Sequence, residues 1–124
     1  MPIVRLDWVE GYTVEQKTKI MQNITTGISE IVGLDKSRVL VLINDYSFEN
    51  ISKNGEPRST NNKDGMLCVR FDWAVGKTDE QKKKLIEYIT QELNEICGID
   101  KSNVIILFND IPLPSVGMNG EPRG

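Results

Sequence analysis

The sequence contains no histidine, and this absence excludes several familiar kinds of site. Histidine is the usual general base at neutral pH and the commonest metal ligand, so a Ser/His/Asp triad, a Cys/His pair and an ordinary zinc site are all excluded or nearly so. Only two cysteines are present, Cys68 and Cys97, and no spacing motif joins them. We therefore expect both to be small, buried apolar side chains.

Long apolar runs and an excess of basic charge are also missing. No apolar stretch approaches the ~20 residues that span a bilayer, and the N-terminus lacks the basic-then-apolar pattern of a signal peptide. A formal net charge of −3 argues against nucleic acid or an anionic membrane as a general partner. We expect a cytoplasmic protein that binds neither nucleic acid nor membrane, and 124 residues suffice for one domain.

The chain consists of two copies of one sequence unit. Residues 1–59 align with residues 66–124 without a gap, and about half of the paired positions are identical. Two repeats are too few for a solenoid, so they predict a pseudo-symmetric pair packed together. We therefore expect a single domain over 1–124, made of a first repeat (1–58), a polar linker (59–65) and a second repeat (66–124).

Each unit has the pattern of a strand followed by a helix. In the first strand, Val4, Leu6 and Trp8 alternate with Arg5 and Asp7, which predicts one face toward the core. Thr13 with Gln16, and Thr78 with Gln81, have the spacing of a helix-starting capping box. Isoleucine or leucine then recurs at helical spacing until Gly33 or Gly98, where a left-handed helix end is favoured.

A second strand and a hairpin complete each unit. The runs 39–43 and 104–108 are continuously apolar, which predicts central strands buried on both faces. A strand–helix–strand order implies a parallel crossover, and the Asn-Gly pairs at 54–55 and 119–120 predict hairpin turns. The fold class is therefore α/β (α+β), a tandem βαβ repeat with a four-stranded mixed sheet and two helices on one face.

The other face of this sheet is expected to be a subunit interface. It would carry Arg5, Asp7, Arg70 and Asp72 together with the second side of the apolar strands. Because apolar area favours burial and opposite charges can pair there, we interpret these four residues as ion pairs at an interface rather than as catalytic groups. Trp8 and Trp73 point to the helices and are expected in the core.

Several short motifs recur at the same places in a known family. They are Pro2-Ile3-Val4, Glu10-Gly11, Thr13, Glu15-Gln16-Lys17, Asn44-Asp45 and Asn54-Gly55-Glu56. Over the whole chain, taken twice, the sequence resembles the tautomerase superfamily, specifically 4-oxalocrotonate tautomerase, as a fused tandem member. The resemblance implies a tautomerase/MIF-like fold and a homotrimer shaped like a hexamer of βαβ units. It also implies keto/enol chemistry without metal or cofactor, in which Pro2 acts as base and acid after Met1 is removed.

The sequence departs from the family where substrate should be held. Where the family has an arginine after the Glu-Gly pair, this chain has Tyr12 and Lys77, and the aromatic residue of the family's hairpin corresponds to Ile51. The arginine of the second strand is also missing, and Arg38, two residues earlier, would point to the same face of an extended strand. Our candidate substrate-binding residues are therefore Arg38, Lys77, Tyr12 and Ile51.

One repeat alone can carry the chemistry. The position of Pro2 in the second unit is Leu67, whose nitrogen is an amide without a basic lone pair. Three interpretations stay open. The chain is a tautomerase of a small 2-oxo or enol acid, a non-catalytic trimeric scaffold or binding protein, or an enzyme with hydratase, dehalogenase or decarboxylase chemistry at Pro2. A retained Met1 would silence Pro2 in every case.

Overall fold

Two copies of a strand–helix–strand–hairpin unit make up the structure, a computed structural model that describes residues 2–57 and 66–123. The predicted linker 59–65 and the predicted loss of Met1 lie outside the described residues. The first unit contains β1 (Ile3–Val9), α1 (Val14–Val32), β2 (Leu40–Tyr46), β3 (Ser52–Lys53) and β4 (Glu56–Pro57). The second contains β5 (Leu67–Ala74), α2 (Asp79–Cys97), β6 (Val104–Ile111), β7 (Gly117–Met118) and β8 (Glu121–Pro122).

Both long helices begin and end where the sequence predicts. The Thr13 hydroxyl accepts from the Gln16 backbone N–H at 3.1 Å, and the Gln16 side chain accepts from the Thr13 N–H at 2.9 Å. Thr78 and Gln81 repeat this capping box at the same distances. Each helix ends at a glycine in the left-handed region, with φ of 74° at Gly33 and 68° at Gly98. Local chemistry therefore sets the helix bounds.

The four long strands form one mixed sheet in the order β2-β1-β5-β6. β1 pairs with β2 and β5 with β6 in parallel, whereas β1 and β5 meet antiparallel, with Ile3 opposite Asp72 and Trp8 opposite Leu67. The prediction that the two apolar runs form central strands is wrong, because β2 and β6 lie at the edges. Continuous apolarity indicated burial on both faces, but the units join through β1 and β5, so each second strand has one partner.

The core lies between the sheet and the two helices. The inward side chains of β1 and β5, including both tryptophans, are fully or almost fully buried against apolar residues of α1 and α2 such as Ile20, Ile24, Leu85 and Ile89. The core position predicted for Trp8 and Trp73 is confirmed. Cys68 and Cys97 are unpaired thiols that are half-buried, and burial raises the pKa of Cys97 to about 11.

The outer face of the sheet combines exposed leucine and isoleucine side chains with ion pairs. Leu40, Leu42, Ile105 and Leu107 are each 40–51% exposed. Across the β1–β5 junction, Arg5 pairs with Asp72, and Arg70 pairs with Asp7 at 3.3 Å. The four charged residues therefore pair within the chain, in the pattern that the sequence indicated. Within the described part of the chain, no helix is long and apolar enough to cross a membrane.

Candidate active site

Pro2 lies buried at the first position before β1. Its carbonyl accepts a hydrogen bond from the Leu40 backbone N–H at 3.0 Å, which ties it to the start of β2. The antiparallel register ends at the Ile3–Asp72 pair, so Pro2 continues the strand beside Trp73. The candidate base of the first unit therefore lies at the end of β5, in the second unit.

Lys77 lies at the same end of the sheet as Pro2. It follows β5 by three residues, its Nζ donates to the Ala74 carbonyl at 3.0 Å, and the same nitrogen lies 5.1 Å from the centroid of the Trp73 ring. Burial lowers the pKa of the Lys77 ammonium, and the nearby Asp110 carboxylate opposes this shift in part. Of the four predicted substrate-binding residues, Lys77 is the one whose side chain lies over the Trp73 ring at the Pro2 end.

Trp73 is a rigid support for this ammonium. Its Nε1 donates to Asp110 Oδ1 at 2.7 Å, and Lys82 forms an ion pair with the other oxygen of that carboxylate. The hydrogen bond from Lys82 is the largest cause that lowers the pKa of Asp110. On the apolar side, the Trp73 ring stacks on Phe108 with 5.0 Å between centroids.

Leu67 lies at the opposite end of β1, and two of the predicted substrate-binding residues, Tyr12 and Ile51, lie at that end. Tyr12 is buried against Trp8, with ring centroids 4.2 Å apart, and burial raises the pKa of its hydroxyl to about 12. Trp8 pairs in register with Leu67. Since seven strand residues span about 20 Å, Tyr12 lies about that far from Pro2 within one chain, and its contact with substrate stays a prediction.

Ile51 also lies at the Leu67 end. It lines a cavity of about 250 Å³ together with Leu67 and Met66, and its contact with substrate stays a prediction. The corresponding residue of the second unit is Val116, which follows β6 at the end where Ala74 pairs with Ile111. The hairpin of each unit therefore lies at the end of the sheet where the first strand of the other unit begins.

Arg38 does not lie on an extended strand. It is the last residue of a short 3-10 helix, Lys36–Arg38, and its N–H donates to the Asp35 carbonyl at 3.0 Å. The alternation that was expected to carry its side chain to the face of Leu40 is therefore broken. Leu40 donates to the Pro2 carbonyl, so Arg38 precedes β2 at the Pro2 end of the sheet, and its contact with substrate stays a prediction. The Asp35 side chain caps this turn by accepting from the Ser37 N–H at 2.9 Å, which the strand pattern alone did not reveal.

The candidate residues did not include Trp73, which follows the last register pair at the Pro2 end, or Val116, the counterpart of Ile51 beyond β6. The missing information was the antiparallel meeting of β1 and β5, which places the end of one unit beside the start of the other. Among residues 2–57 and 66–123, no group of three or more Cys, Asp or Glu side chains could hold a metal ion. The side chains placed at this end include the Lys77 ammonium and the rings of Trp73 and Phe108.

Comparisons with known proteins agree with the duplication and with the fold. A family model described as "Tautomerase enzyme" matches residues 2–61 and again 68–124. A probable tautomerase of Streptococcus pneumoniae serotype 4 is 37% identical over 59 residues, which cover 48% of this chain and 98% of that protein. A 2-hydroxymuconate tautomerase of Comamonas testosteroni is 38% identical over 45 residues, covering 36% of this chain and 71% of that protein.

The fold is also similar to that of a solved wild-type fused 4-OT, an asymmetric trimer. The TM-score is 0.87 at 18% identity, and the match covers 98% of this chain and 95% of that chain. At this identity the likeness concerns the fold.

Proposed function

This chain belongs to the tautomerase family of isomerases, and we propose that it interconverts the keto and enol forms of a small 2-oxo or enol acid through Pro2. The single observation that carries the proposal is the burial of Pro2 beside Trp73, on whose ring Lys77 lies. The family match beginning at residue 2 supports the same assignment, because it starts at the proline and not at the methionine.

The proposed base is the secondary amine that removal of Met1 would expose. An α-amino group titrates near pH 8 in water, and a buried environment disfavours its charged form and lowers its pKa. The neutral amine takes a proton from the carbon next to a carbonyl and returns it elsewhere on the conjugated system. Leu67 has an amide nitrogen at the corresponding position, so each chain carries one such base.

Lys77 supplies the positive charge that an acid substrate needs at this end. Its ammonium is a single point charge without the two-pronged geometry of arginine, so it holds one carboxylate or enolate oxygen at a time. Charge that develops on the enolate is stabilised by a cation fixed in advance, and the contacts with Ala74 and Trp73 fix this one.

We further propose that three chains assemble into a homotrimer. The exposed leucine side chains on the outer face of the sheet, Leu40, Leu42 and Leu107, support this, because burial of the exposed half of each contributes about 1 kcal/mol. The fused 4-OT with the same fold was solved as a trimer.

The test is the rate of ketonisation of an aryl enolpyruvate, followed by absorbance, with protein whose intact mass shows loss of Met1. We expect catalysis above the spontaneous rate. An additional alanine placed before Pro2 converts its amine into an amide and should lower kcat/KM by at least about 100-fold. The matched control is Pro57→Ala, in an exposed hairpin, which should keep the parent rate. A retained Met1, or equal rates with and without the extra alanine, would remove Pro2 from the mechanism and favour the scaffold interpretation.

A further inference from the structure

The cavity at Leu67 occupies the place where a second amino-terminal base would lie. It measures about 250 Å³, and its apolar wall includes Leu67, Met66, Ile51 and Ile105. A dry apolar cavity of about 150 Å³ in another protein binds benzene. If the number of non-hydrogen atoms scales with cavity volume, this cavity fits a molecule of about ten such atoms.

A polar edge centred on Asp7 interrupts the apolar wall, and Asn50 and Ser52 of the first unit's hairpin also belong to the lining. The Asp7 carboxylate accepts from the Tyr46 hydroxyl at 3.1 Å, from the Asn44 amide at 3.0 Å and from the Arg70 guanidinium at 3.3 Å. An ionised carboxylate has about four acceptor positions, so these three donors leave room for one more. The edge therefore suits a ligand that donates a single hydrogen bond.

The charge at this cavity disfavours an anion. Among the described residues that line it, none is lysine or arginine, whereas Asp7 is one of them. The Tyr46 hydroxyl donates to Asp7, and this hydrogen bond is the main cause that raises the pKa of the tyrosine. A carboxylate substrate of the kind proposed for the Pro2 end would find no cation in the lining here, since the nearby Arg70 guanidinium is already paired with Asp7.

The two ends of the sheet have thus diverged in chemistry. Tyr46 corresponds to Ile111 in the second unit, and Leu67 corresponds to Pro2. Where Lys77 presents an ammonium on Trp73, its counterpart Tyr12 covers Trp8 with an apolar ring. At the Leu67 end, an amide nitrogen stands where the other end has Pro2, and the Tyr12 ring stands where the other end has the Lys77 ammonium. This end has an apolar cavity.

We propose that the cavity at Leu67 binds a neutral, compact aromatic molecule that donates one hydrogen bond to Asp7. The apolar wall supplies affinity by removing aromatic surface from water, and Asp7 fixes the orientation. The ligand is not transformed there, because the position of the base is an amide. This inference is independent of catalysis at Pro2.

Binding of 5-fluoroindole tests the proposal, with fluorine NMR on the full chain in its solution oligomeric state. We expect a saturable shift. Ile51→Trp fills the cavity and should weaken binding at least tenfold, whereas the matched change Val116→Trp, at the Pro2 end, should leave it unaltered. Met66→Trp fills the cavity from a different side and should weaken binding as Ile51→Trp does. Circular dichroism shows which of the two variants is folded, and one folded variant is enough to test the proposal.

Two related probes test the chemistry of the ligand. The indole whose nitrogen is methylated lacks the donor and should bind at least about fivefold more weakly. 5-fluoroindole-2-carboxylate should bind at least tenfold more weakly, because no lysine or arginine among the described lining residues compensates its charge when it leaves water. The proposal is overturned if 5-fluoroindole gives no saturable shift, as when a neighbouring copy fills the cavity. It is also overturned if Val116→Trp weakens binding as much as Ile51→Trp, or if either related probe binds as well as 5-fluoroindole.

Discussion

The Nζ of Lys77 lies 5.1 Å from the centre of the Trp73 ring, where the other repeat places Tyr12 on Trp8 at 4.2 Å between ring centroids. The two tryptophans are otherwise equivalent, since each donates its Nε1 hydrogen to an aspartate, at 2.6 Å to Asp45 and 2.7 Å to Asp110. The same platform therefore carries a cation at the Pro2 end and an aromatic ring at the Leu67 end. One position per repeat therefore distinguishes a tryptophan that carries an ammonium from one that carries an aromatic ring.

Lys77→Ala should raise KM for an anionic enol substrate by at least about tenfold, because a charge-assisted hydrogen bond contributes about 1.5–3 kcal/mol. Tyr12→Phe is the matched control and should change KM little, since Tyr12 lies at the Leu67 end. Steady-state kinetics on both variants check this. Equal effects of the two changes would contradict the assignment.

The role of Lys77 also predicts a dependence on pH. Burial lowers the pKa of Lys77 below the ordinary 10.5. The ammonium loses its charge as pH rises through that lowered value, so KM of the parent should rise at alkaline pH. Lys77→Arg stays charged, because the pKa of arginine exceeds about 12. The ratio of the two KM values, which cancels titration of the substrate and of Pro2, should therefore grow with pH, and a constant ratio would contradict the prediction.

Leu107→Glu should dissociate the proposed trimer. Leu107 is 51% exposed on the outer face of the sheet, and burial of that exposed half in an interface would contribute about 1 kcal/mol, which a buried carboxylate would reverse. Ile86→Glu is the control, because Ile86 is 41% exposed but lies on α2. Sedimentation equilibrium should show monomers for the first variant and trimers for the second. The interface would lie elsewhere if Leu107→Glu stayed trimeric.

Asp110→Asn should destabilise the protein at neutral pH and lose its effect in acid. The fold lowers the pKa of Asp110 below 3.8, mainly through Lys82, so the carboxylate stabilises the fold above the unfolded pKa. That contribution disappears as pH falls through the lowered folded value. Because the group is largely exposed, we expect at most about 1 kcal/mol.

Thermal melts at about pH 7 and about pH 3 measure this difference. The gap in Tm between the parent and Asp110→Asn should narrow at the lower pH, and a gap of constant size would contradict the ion-pair explanation. Combining Asp110→Asn with Lys82→Met should cost less than the sum of the two single changes, since both remove the same pair.

Gly27→Ala should destabilise the fold although alanine is the better helix former. A Cβ at Gly27 would lie 2.6 Å from Cδ2 of Tyr88, whose hydroxyl donates to the Asn23 carbonyl at 2.9 Å across the helix pair. Overpacking of this kind costs about 1–3 kcal/mol, more than the ~1 kcal/mol that alanine contributes in an open helix. Urea unfolding at a fixed protein concentration checks the sign. In a Tyr88→Ala background the same change should become stabilising, and a destabilisation that persists there would contradict the steric cause.

Elements with a local cause could be predicted from the sequence. The capping boxes, the left-handed glycines and the Asn-Gly turns need only neighbouring residues, and all lie where their motifs indicated. Asn54 and Gly55, for example, have φ of 57° and 76°, the positive pair that such a hairpin turn requires. The inward face of β1 could likewise be predicted, because apolar and polar residues alternate along the strand with a period of two.

Errors arose where two units meet or where a short turn interrupts a strand. β2 was predicted as central because an apolar run has the same composition whether the chain itself or another copy covers its second face. Arg38 was assigned to an extended segment because the Asp35 cap, which folds 36–38 into a turn, competes with strand geometry through a single hydrogen bond.

The sequence by itself determined that this protein is a duplicated βαβ unit, because repeats, caps and strand alternation depend on neighbouring residues, and it singled out Pro2 as the proposed base. Only the tertiary structure decided which residues surround that proline. The antiparallel pairing of β1 with β5 exchanges partners between the repeats, so Lys77 and Val116 lie at the Pro2 end while Tyr12 and Ile51 lie with Leu67. A pairing between distant strands depends on the packing of both faces, and no local pattern encodes it.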